Sequence, residues 1–501
     1  MEVNKMLAYI TKVITNMPQD WLNLTTHRLD IYNEELAKVQ FLDQFIHLAK
    51  EGNSSTAALS NLPTAYDYIR LGHPLSCVLE WAIGNINGLP AEQVISFQSK
   101  TAPILAILRT NLLAHRNTLI TYTKELPSAF DIDVLKNIYG FSFELKKVAS
   151  PADVESFNGS TIFISQQHDS SAISVSSHID FYVNMYAELG SVLLINGAEN
   201  IHYISDIQHF RRRETVAMTP HNCLNALRSL VQLPAEKSVT KNTTEHKTAV
   251  LDLIREVSGS QTTPLVASSG LSVQYAILMG LVHDALENHK DKAIKIVVPP
   301  NCYGGTNDQA RRVAACSDAI EIVDLLVDGD NDMVQSIDHV LEQIAAEDAV
   351  PYIIAEIPTN PRVEVPDLQK LRAVLSAKRK TDTGSQAIDP VFILDQTFCP
   401  NVHFLGDSDV LSSVRTISFA SGSKFPSGGK CTAGYCIANK KAEALIEKIQ
   451  LHLALCDNEA TDLQYEILAK QMPTMMQRIH DAYVNTRDFV SFIEKTLPTA
   501  K

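Results

Sequence analysis

Apolar residues recur along the chain in two patterns, first at helical spacing and then in short continuous runs. Over residues 1–60 the helical spacing predicts an arm of amphipathic helices. Farther on, β-branched runs alternate with helical segments, and these runs are QVISF, STIFIS, SVLLING, PLVAS, IKIVVPP, AIEIVDLL, PYIIAEI, PVFILDQ and VRTISFA. Short continuous apolar runs between helices are typical of parallel strands that are buried on both faces. The pattern therefore predicts an α/β protein with a parallel sheet.

Two polar stretches interrupt the alternation of strands and helices. PAEKSVTKNTTEHK at 234–247 predicts a linker, whereas SAKRKTDTGSQAIDP at 376–390 lies between a helix and a strand and predicts a surface insertion. A length of 501 residues suits two domains, each with a sizeable core. We therefore expect a helical arm over 1–60, a first α/β unit over 61–235 and a second unit over 236–501.

Charge and cysteine usage exclude several classes of function. A formal net charge of −14 disfavours nucleic acid as a partner, because nucleic-acid binding requires a basic face. No CxxC pair and no His/Cys ligand spacing occurs, so we expect reduced thiols and neither a disulfide scaffold nor a metal site. The eight cysteines are Cys77, Cys223, Cys302, Cys316, Cys399, Cys431, Cys436 and Cys456.

The start of the chain and its longest apolar runs bear on localisation. MEVNKMLAYITKVITNMPQDW carries charges at helical periodicity and has no apolar core of the secretory type, so no signal peptide is predicted. No run approaches the roughly 20 apolar residues that a membrane span needs. We therefore expect a cytoplasmic protein with no membrane partner.

Lysine, serine and glycine cluster after the last apolar run, in FASGSKFPSGGK at 419–430. A Walker A loop requires a glycine where Lys424 stands and a serine or threonine where Cys431 stands, so that interpretation fails. The alternative is a lysine that binds pyridoxal phosphate covalently. Such a lysine needs partial desolvation, hydroxyls or amides for the phosphate and an acid for the ring nitrogen. Ser421 and Ser423 place two hydroxyls beside Lys424.

Further polar residues of the second unit stand at predicted strand ends, where α/β sites form. Asp395 ends the run VFILD and could pair with a pyridinium N–H, although a helix-capping aspartate is the alternative. SGLS at 269–272 lies between a strand and a helix, where free amides and the helix dipole bind phosphate, although a plain turn fits as well. Tyr303 precedes two glycines and suits stacking on a flat ring. Glu356 and Asn360 stand at another strand end.

In order along the chain, SGLS, YGGT, E-x-P-T-N-P, D-x-T-F and S-x-S-K resemble the motifs of a known family. The family is the Cys/Met-metabolism group of pyridoxal-phosphate enzymes, of the cystathionine γ-synthase and γ-lyase type. The resemblance covers residues 245–501. It implies pyridoxal phosphate fold type I, the aspartate-aminotransferase-like three-layer α/β/α architecture.

The resemblance also implies a cofactor, pyridoxal 5'-phosphate, and a role for each matched residue. Lys424 would be the Schiff-base lysine, Asp395 the partner of the pyridine nitrogen and Tyr303 the ring stacked on the cofactor. Asn360 would lie near the cofactor's phenolic oxygen. The residues placed around the phosphate are Ser269, Gly270, Leu271, Ser421 and Ser423.

The sequence departs from the family pattern at two places, position 396 and the end of the given chain. Gln396 stands where the family usually has asparagine, and Lys430 falls among loop residues, so we expect it to be solvated. The chain stops at IEKTLPTAK, whereas the family continues into a small C-terminal domain whose arginine binds the substrate α-carboxylate. We expect either that the chain is a fragment or that it holds its substrate in another way.

The first unit carries a faded copy of the same pattern. Residues 66–108 resemble the family's entry segment, in which Tyr68-Ile69-Arg70 matches a Tyr-x-Arg pair. In the family, that pair reaches the phosphate of the neighbouring subunit. We therefore expect an internal pseudo-dimer in which the first unit donates Tyr68 and Arg70 to the second unit. The alternative for Arg70 is a surface salt bridge.

The first unit lacks the groups that the chemistry needs. STIFIS stands where the E-x-P-T-N-P strand belongs, and SVLLING replaces FILDQTF without an aspartate. Ser99-Lys100-Thr101 has lost the glycine of the phosphate loop, and no lysine occurs between Lys147 and Lys237. Without the amine and the acid, the first unit is predicted to be inactive.

The resemblance implies transsulfuration of sulfur amino acids or activated homoserine. Lys424 would remove the α-proton of a small amino-acid substrate, and a γ-substituent would then be lost or exchanged. A β-lyase, a sulfhydrylase or an aminotransferase of the same fold remains an alternative, as does a non-catalytic binding protein. Homo-oligomerisation beyond the internal pairing stays open.

Overall fold

The computed structural model describes residues 2–24, 34–63, 65–66, 68–166, 175–236, 242–328, 331–360, 362–497 and 499. Within these ranges the helices of the first half are α1 Val3–Asn16, α2 Glu34–Glu51, α3 Thr56–Ser60, α4 Pro74–Asn87, α5 Ala102–Leu113, α6 Ile132–Asn137, α7 Tyr203–Arg213 and α8 Pro220–Leu230. Those of the second half are α9 Thr243–Ser258, α10 Gly270–Asn288, α11 Gly304–Ala314, α12 Met333–Ala346, α13 Leu368–Ser376, α14 Ile446–Leu455, α15 Asp462–Gln471 and α16 Met475–Thr496.

The described strands form two sheets. The first sheet contains β1 Val94–Phe97, β2 Thr118–Tyr122, β3 Phe143–Lys147, β4 Ser160–Gln166, β5 Phe181–Tyr186 and β6 Gly190–Ile195. The second contains β7 Leu265–Ala267, β8 Ile294–Val298, β9 Ile320–Asp324, β10 Val350–Glu356, β11 Val391–Asp395, β12 Arg415–Ser421 and β13 Gly434–Ala438. Each of the nine predicted apolar runs contains one of these strands.

The two sheets have similar strand orders, with six strands in the first and seven in the second. The first sheet has the order β1-β6-β5-β4-β2-β3, and the second has the order β7-β13-β12-β11-β10-β8-β9. In the first sheet β6 runs antiparallel to both neighbours, and in the second β13 does so. The other pairings are parallel. Both sheets are mixed, so the prediction of a parallel sheet is wrong for β6 and β13.

The alternating burial of the central strands explains why helices cover both faces of the second sheet. Tyr352 and Ile354 of β10 point into one apolar cluster, together with α10 and α14. Ile353 and Ala355 point into a different cluster, together with α9, α12 and α15. Because side chains of a strand alternate between faces, the two clusters lie on opposite sides of the sheet. The second half therefore has helices on both sides of one sheet.

One apolar cluster joins the two halves. It contains strand residues of both sheets together with α5 and α7 from the first half and α10 and α14 from the second. Tyr139 of the first half donates or accepts a hydrogen bond with His452 of α14 at 3.1 Å, inside this buried layer. The halves therefore pack as one body through helices rather than through a sheet edge.

The predicted helical arm contains α1 to α3 and packs against the first sheet's outer helices. Phe45 of α2 meets Trp81 of α4 edge to face, with ring centroids 5.6 Å apart. The predicted linker is only partly covered, because residues 237–241 lie outside the described ones. The predicted insertion at 376–390 is mostly exposed between α13 and β11, as expected.

A buried ion cluster lies within the first half. Glu80 of α4 pairs with Lys38 at 2.6 Å and with Arg211 of α7 at 3.1 Å, and the side chains of Glu80 and Arg211 are fully buried. Burial alone would raise the pKa of Glu80, but the two cations hold that pKa below its ordinary value. The cluster ties the helical arm and α7 to α4.

The described residues contain neither a candidate membrane span nor a candidate metal cluster. None of the helices there has the length and apolar character that a membrane crossing demands. In the same residues no group of three or more His, Cys, Asp or Glu side chains is arranged to hold a metal ion. The eight cysteines are free thiols.

Candidate active site

A cavity of about 130 Å³ lies at the carboxyl ends of strands β7, β10, β11 and β12. It brings together every site residue that the sequence predicts, including the two from the first half. The lining residues are Tyr68, Arg70, Ser269, Gly270, Leu271, Gln274, Tyr303, Thr306, Glu356, Pro358, Asn360, Asp395, Thr397, Phe398, Phe419, Ser421, Ser423 and Lys424. Their roles toward a ligand remain predictions.

The start of helix α10 forms one wall of the cavity. Ser269 caps the helix, since its hydroxyl accepts a hydrogen bond from the Ser272 N–H at 3.0 Å. The N–H groups of Gly270 and Leu271 occupy the first two helical positions, which have no intrahelical acceptor. A Cβ on Gly270 would lie 3.1 Å from the Cβ of Ser421, so only glycine lets these segments approach so closely. This wall therefore offers amides to an anion.

Two serine hydroxyls face that helix start. Ser421 Oγ lies 2.8 Å from Ser423 Oγ, and either can donate to the other. Ser423 is buried, and Ser421 is half-buried at the end of β12. The backbone N–H of Ser421 donates to Thr397 Oγ1 at 3.0 Å, which ties the end of β12 to the residues that follow β11. The hydroxyls and the α10 amides thus form a cradle of hydrogen-bond donors.

The first half contributes a cation to the cavity. Arg70 Nη2 donates to Tyr303 Oη at 3.2 Å, across 233 positions of sequence. The Arg70 guanidinium also lies over the Tyr68 ring, 4.5 Å from its centroid. Although Arg70 is only 5% exposed, its Nε has no hydrogen-bond partner among the described residues. The alternative of a surface salt bridge is wrong, because Arg70 is buried and faces the cavity.

Tyr303 stands at the start of helix α11. Its N–H donates to Glu356 Oε1 at 2.7 Å, which ties the tyrosine to the end of β10. Desolvation alone would raise the pKa of Tyr303, but the charge and hydrogen bond of Arg70 hold that pKa below its ordinary value. The ring is 44% exposed and lies at the cavity. A flat ligand could therefore cover it.

Two carboxyl groups lie at paired positions on neighbouring strands. Glu356 ends β10 and pairs in register with Asp395, which ends β11. Burial raises the pKa of Asp395 to about 6 and that of Glu356 to about 7. Asp395 Oδ1 accepts from the Thr397 N–H at 2.9 Å. Because Asp395 is only 7% exposed, a cation or a further N–H donor in the cavity would stabilise its charged form.

Lys424 follows β12 at the cavity wall, but its side chain is exposed. The motif predicts a partly desolvated amine, whereas the Lys424 side chain is exposed in the structure. The Nζ of Lys424 forms no hydrogen bond or ion pair with the residues that the structure describes. Lys430, six positions later, is exposed as predicted.

Gln396 departs from the family pattern, whereas Asn360 matches it. Gln396 turns away from the cavity and donates to Val402 O at 2.9 Å, while its Oε1 accepts from Ser418. The change from the family's asparagine therefore leaves the cavity lining intact. Asn360 lines the cavity, as predicted.

Some lining residues were not predicted from the sequence. Gln274 lies one helical turn after Gly270, and its Oε1 accepts from Thr306 Oγ1 at 2.9 Å. The i+4 spacing from a predicted helix start could have identified Gln274. Phe398 is 42% exposed at the cavity, and Phe419 lies on β12. Phe398 is the last residue of the D-x-T-F motif but had no predicted role, and no motif marks Phe419.

The chain is similar to several solved structures. No protein-family model matches the chain, and no curated protein matches it. Among solved structures, it is similar to cystathionine gamma lyase CalE6 from Micromonospora echinospora, with 16% identity, a TM-score of 0.34 and coverage of 46% of this chain and 52% of that one. It is also similar to MetB from Corynebacterium glutamicum, with 18% identity, a TM-score of 0.34 and coverage of 49% and 55%.

A third similar structure is cystathionine gamma-lyase from yeast, with 21% identity, a TM-score of 0.33 and coverage of 47% of this chain and 51% of that one. The chain thus spans about half the length of the structures it matches. A likeness of this extent assigns neither a fold family nor an activity to the chain.

Proposed function

We propose that the second half is a pyridoxal-phosphate enzyme of fold type I that acts on a small sulfur amino acid or an activated homoserine. We further propose that the first half is a degenerate copy of the same fold. One observation carries the proposal. The eleven residues expected from the motifs, nine from the second half and two from the first, line a single cavity.

The cradle of donors suits a phosphate group. The Gly270 and Leu271 amides at the start of α10, together with the Ser421 and Ser423 hydroxyls, would hold the phosphate oxygens. Arg70 would add a charge-assisted contact, and its unpartnered buried Nε is the atom that such an anion would satisfy. These donors come from both halves of the chain, and a bound anion would be the charge partner that Arg70 does not have among the described carboxylates.

The carboxylates suit the ring of the same cofactor. Asp395 would accept from the pyridine N–H, and this contact would reverse the pKa rise that burial imposes. Tyr303 would cover one face of the ring, and Asn360 would lie near the phenolic oxygen. The residues present therefore fit the cofactor.

When bound, pyridoxal phosphate supplies an aldehyde carbon and an electron-withdrawing ring. Lys424 would hold the cofactor through its amine and, once displaced by substrate, would remove the proton from the substrate Cα and move a proton at Cβ. The lowered pKa of Tyr303 suits a second proton-carrying group near Lys424. Loss or exchange of a γ-substituent follows from such proton transfers, which is the chemistry of γ-lyases and γ-synthases.

Sheet topology supports the proposal that the first half is a degenerate copy. The two sheets have the same strand order and directions apart from one missing central strand. Strand β4, which the sequence places at the E-x-P-T-N-P strand, lies next to β2 as β10 lies next to β8. The β6 run SVLLING does not occupy the place of β11, because β6 is antiparallel to both neighbours, as β13 is, whereas β11 is parallel to both of its own. That part of the sequence correspondence is wrong.

The residues at the ends of β4 and β5 and at the start of α5 explain why we propose that the first half is inactive. Gln166, the last residue of β4, pairs with Met185 of β5, so these strand ends carry no carboxyl pair like that of Glu356 and Asp395 in the second half. At the start of α5, Ser99 Oγ accepts hydrogen bonds from the N–H groups of Thr101 and Ala102, so these amides are not free to bind an anion. The next residue of α5 is a proline, which has no N–H to offer. The first half thus lacks both the acid and the free amides.

The test starts from the purified full chain without cofactor. It is mixed with pyridoxal phosphate and reduced with borohydride, and mass spectrometry locates any pyridoxyl group. We expect the label on Lys424 and a yellow colour before reduction, and both should be lost in Lys424→Ala. Lys430→Ala is the matched control in the same loop and should behave as the wild type. An unlabelled Lys424 would refute the proposed function.

Two further measurements test the role of Arg70 and the type of reaction separately. Arg70→Ala should weaken pyridoxal phosphate binding about 10- to 100-fold, because it removes a charge-assisted contact, whereas unchanged affinity would refute the donated arginine. Cystathionine cleavage to a 2-oxo acid and ammonia, set against cystathionine formation from O-acylhomoserine and cysteine, then distinguishes a lyase from a synthase. If Lys424 carries the pyridoxyl label but the protein catalyses neither reaction, transsulfuration is refuted.

A further inference from the structure

Helix α16 contacts the loop that carries Lys424. Arg478, in the first turn of α16, donates from Nη2 to the carbonyl oxygen of Phe425 at 2.6 Å and from Nε to the same oxygen at 3.2 Å. It donates from Nη2 to the carbonyl oxygen of Pro426 at 3.3 Å as well. Two consecutive carbonyl groups directly after Lys424 therefore point at one guanidinium.

The Arg478 guanidinium donates two further hydrogen bonds, one to a backbone oxygen and one to a hydroxyl oxygen. Nη2 donates to Gln471 O at 2.8 Å, and Nη1 donates to Thr474 Oγ1 at 2.7 Å. No carboxylate among the described residues pairs with Arg478. Its planar fork is therefore used as a brace between the end of α15 and the lysine loop rather than as half of an ion pair.

The loop is shaped to receive this side chain. Gly428 has φ of +61°, and a Cβ there would lie 3.3 Å from Arg478 Nε. A side chain at this position would therefore be strained and would crowd the guanidinium. Ser427 N donates to Gly422 O at 2.9 Å, but the bonds that close the turn after Lys424 are longer, since Gly428 N donates to Phe425 O and Gly429 N donates to Lys424 O, both at 3.3 Å. Arg478 supplies the shorter contact.

A second contact joins α16 to the other side of the cavity. Tyr483 Oη donates to the carbonyl oxygen of Phe398 at 3.2 Å, and Phe398 lines the cavity. Helix α16 thus holds the backbone at two loops that border the site, one after β11 and one after β12.

We infer that Arg478 is a positioning residue, which fixes the backbone after Lys424 and so sets where the amine of that lysine can reach. The exposed Lys424 side chain has no hydrogen bond of its own among the described residues, so its placement depends on its backbone. The inference rests on the proposed function for the role of Lys424, but the brace itself can be tested without it.

The first readout is amide hydrogen exchange over residues 427–431 of the cofactor-free protein. In Arg478→Ala, loss of hydrogen bonds to a charged donor should speed exchange there about 10- to 100-fold, while exchange in α4 and β4 stays unchanged. Arg487→Ala is the matched control, since Arg487 lies on the same helix, is 74% exposed and pairs only with Asp488 at 3.6 Å. It should exchange as the wild type does.

The second readout is the rate of pyridoxal phosphate labelling at Lys424 relative to Lys430, by borohydride trapping and mass spectrometry. This ratio should fall about tenfold in Arg478→Ala and recover in part in Arg478→Lys, whose single ammonium can still reach one carbonyl. A purely structural loss would lower both lysines together. Thr474→Val, which removes one acceptor of Arg478, gives a milder variant if Arg478→Ala does not fold.

The outcomes separate the two claims. If wild-type Lys424 is not labelled, the proposed function fails, and the exchange data alone decide whether Arg478 braces the loop. If exchange over 427–431 in Arg478→Ala matches that of the wild type, the inference is overturned. It is also overturned if the labelling ratio of Lys424 to Lys430 is unchanged in a protein whose Lys424 is labelled.

Discussion

Replacing Asp395 with asparagine should stabilise the cofactor-free protein at neutral and alkaline pH. Asp395 is 7% exposed, and burial raises its pKa from 3.8 to about 6. A carboxyl whose pKa is higher in the folded state binds its proton more tightly there. Its contribution to stability is therefore fully present below pH 3.8 and is lost as the pH rises through 6. Asparagine carries no charge at any of these pH values, so the stability of the Asp395→Asn variant does not fall as the pH rises through 6.

The size of the effect follows from the two pKa values. A pKa difference of about 2 corresponds to about 3 kcal/mol at a pH above both values. The advantage of Asp395→Asn should be about 0.5 kcal/mol at pH 4, about 1.6 kcal/mol at pH 5 and about 3 kcal/mol above pH 7. Asparagine can keep the hydrogen bond from the Thr397 N–H through its side-chain oxygen.

Equilibrium urea unfolding between pH 4 and pH 8 measures this difference directly. Asp407→Asn is the control, since Asp407 is 77% exposed and should show no such trend. With pyridoxal phosphate present the order should reverse, because a pyridinium N–H stabilises the aspartate and not the asparagine. A variant that is less stable than the wild type at pH 8, or a difference that does not change with pH, would refute the reasoning.

Two more substitutions test features outside the titration of the site. Glu80→Gln should lower the free energy of unfolding by about 3–5 kcal/mol in urea titrations, because it leaves Arg211 buried without its carboxylate; a loss below 1 kcal/mol would contradict this. Gly434→Ala should cost about 1–3 kcal/mol, because its Cβ would lie 2.4 Å from the carbonyl oxygen of Ser269. It should also weaken pyridoxal phosphate binding by displacing the start of α10, measured by fluorescence titration, whereas Gly304→Ala, with nothing within 4 Å, should change stability little.

Much of the fold could be predicted because buried strands carry their own pattern. Nine continuous apolar runs each contain a strand, and the polar residues directly after several of them line the cavity. Four strands were missed. β3 has the sequence FELKK, whose two lysines match no buried pattern, and β13 is the short run GYCIA. The predicted direction was wrong for β6, because a strand that is buried on both faces shows the same run whichever way it points.

The site residues could be predicted because their chemistry is local to strand and helix ends. Arg70 was placed by the motif it shares with Tyr68, although its partner Tyr303 lies 233 residues away. The contacts of Arg478 could not be foreseen, since an arginine that binds backbone carbonyls leaves no pattern in the residues it touches. The exposure of Lys424 could not be foreseen either, because it depends on which atoms cover the cavity.

The hydrogen bond between Arg70 and Tyr303 has a consequence for how the protein responds to dilution. Where two separate chains complete a cavity, the fraction of complete sites falls as the chains dissociate. Here both residues belong to one covalent chain, so the second group is held at a fixed effective concentration. The cavity should therefore keep its composition at any protein concentration. Each half is also free to change independently, because a substitution in one half is not copied into the other.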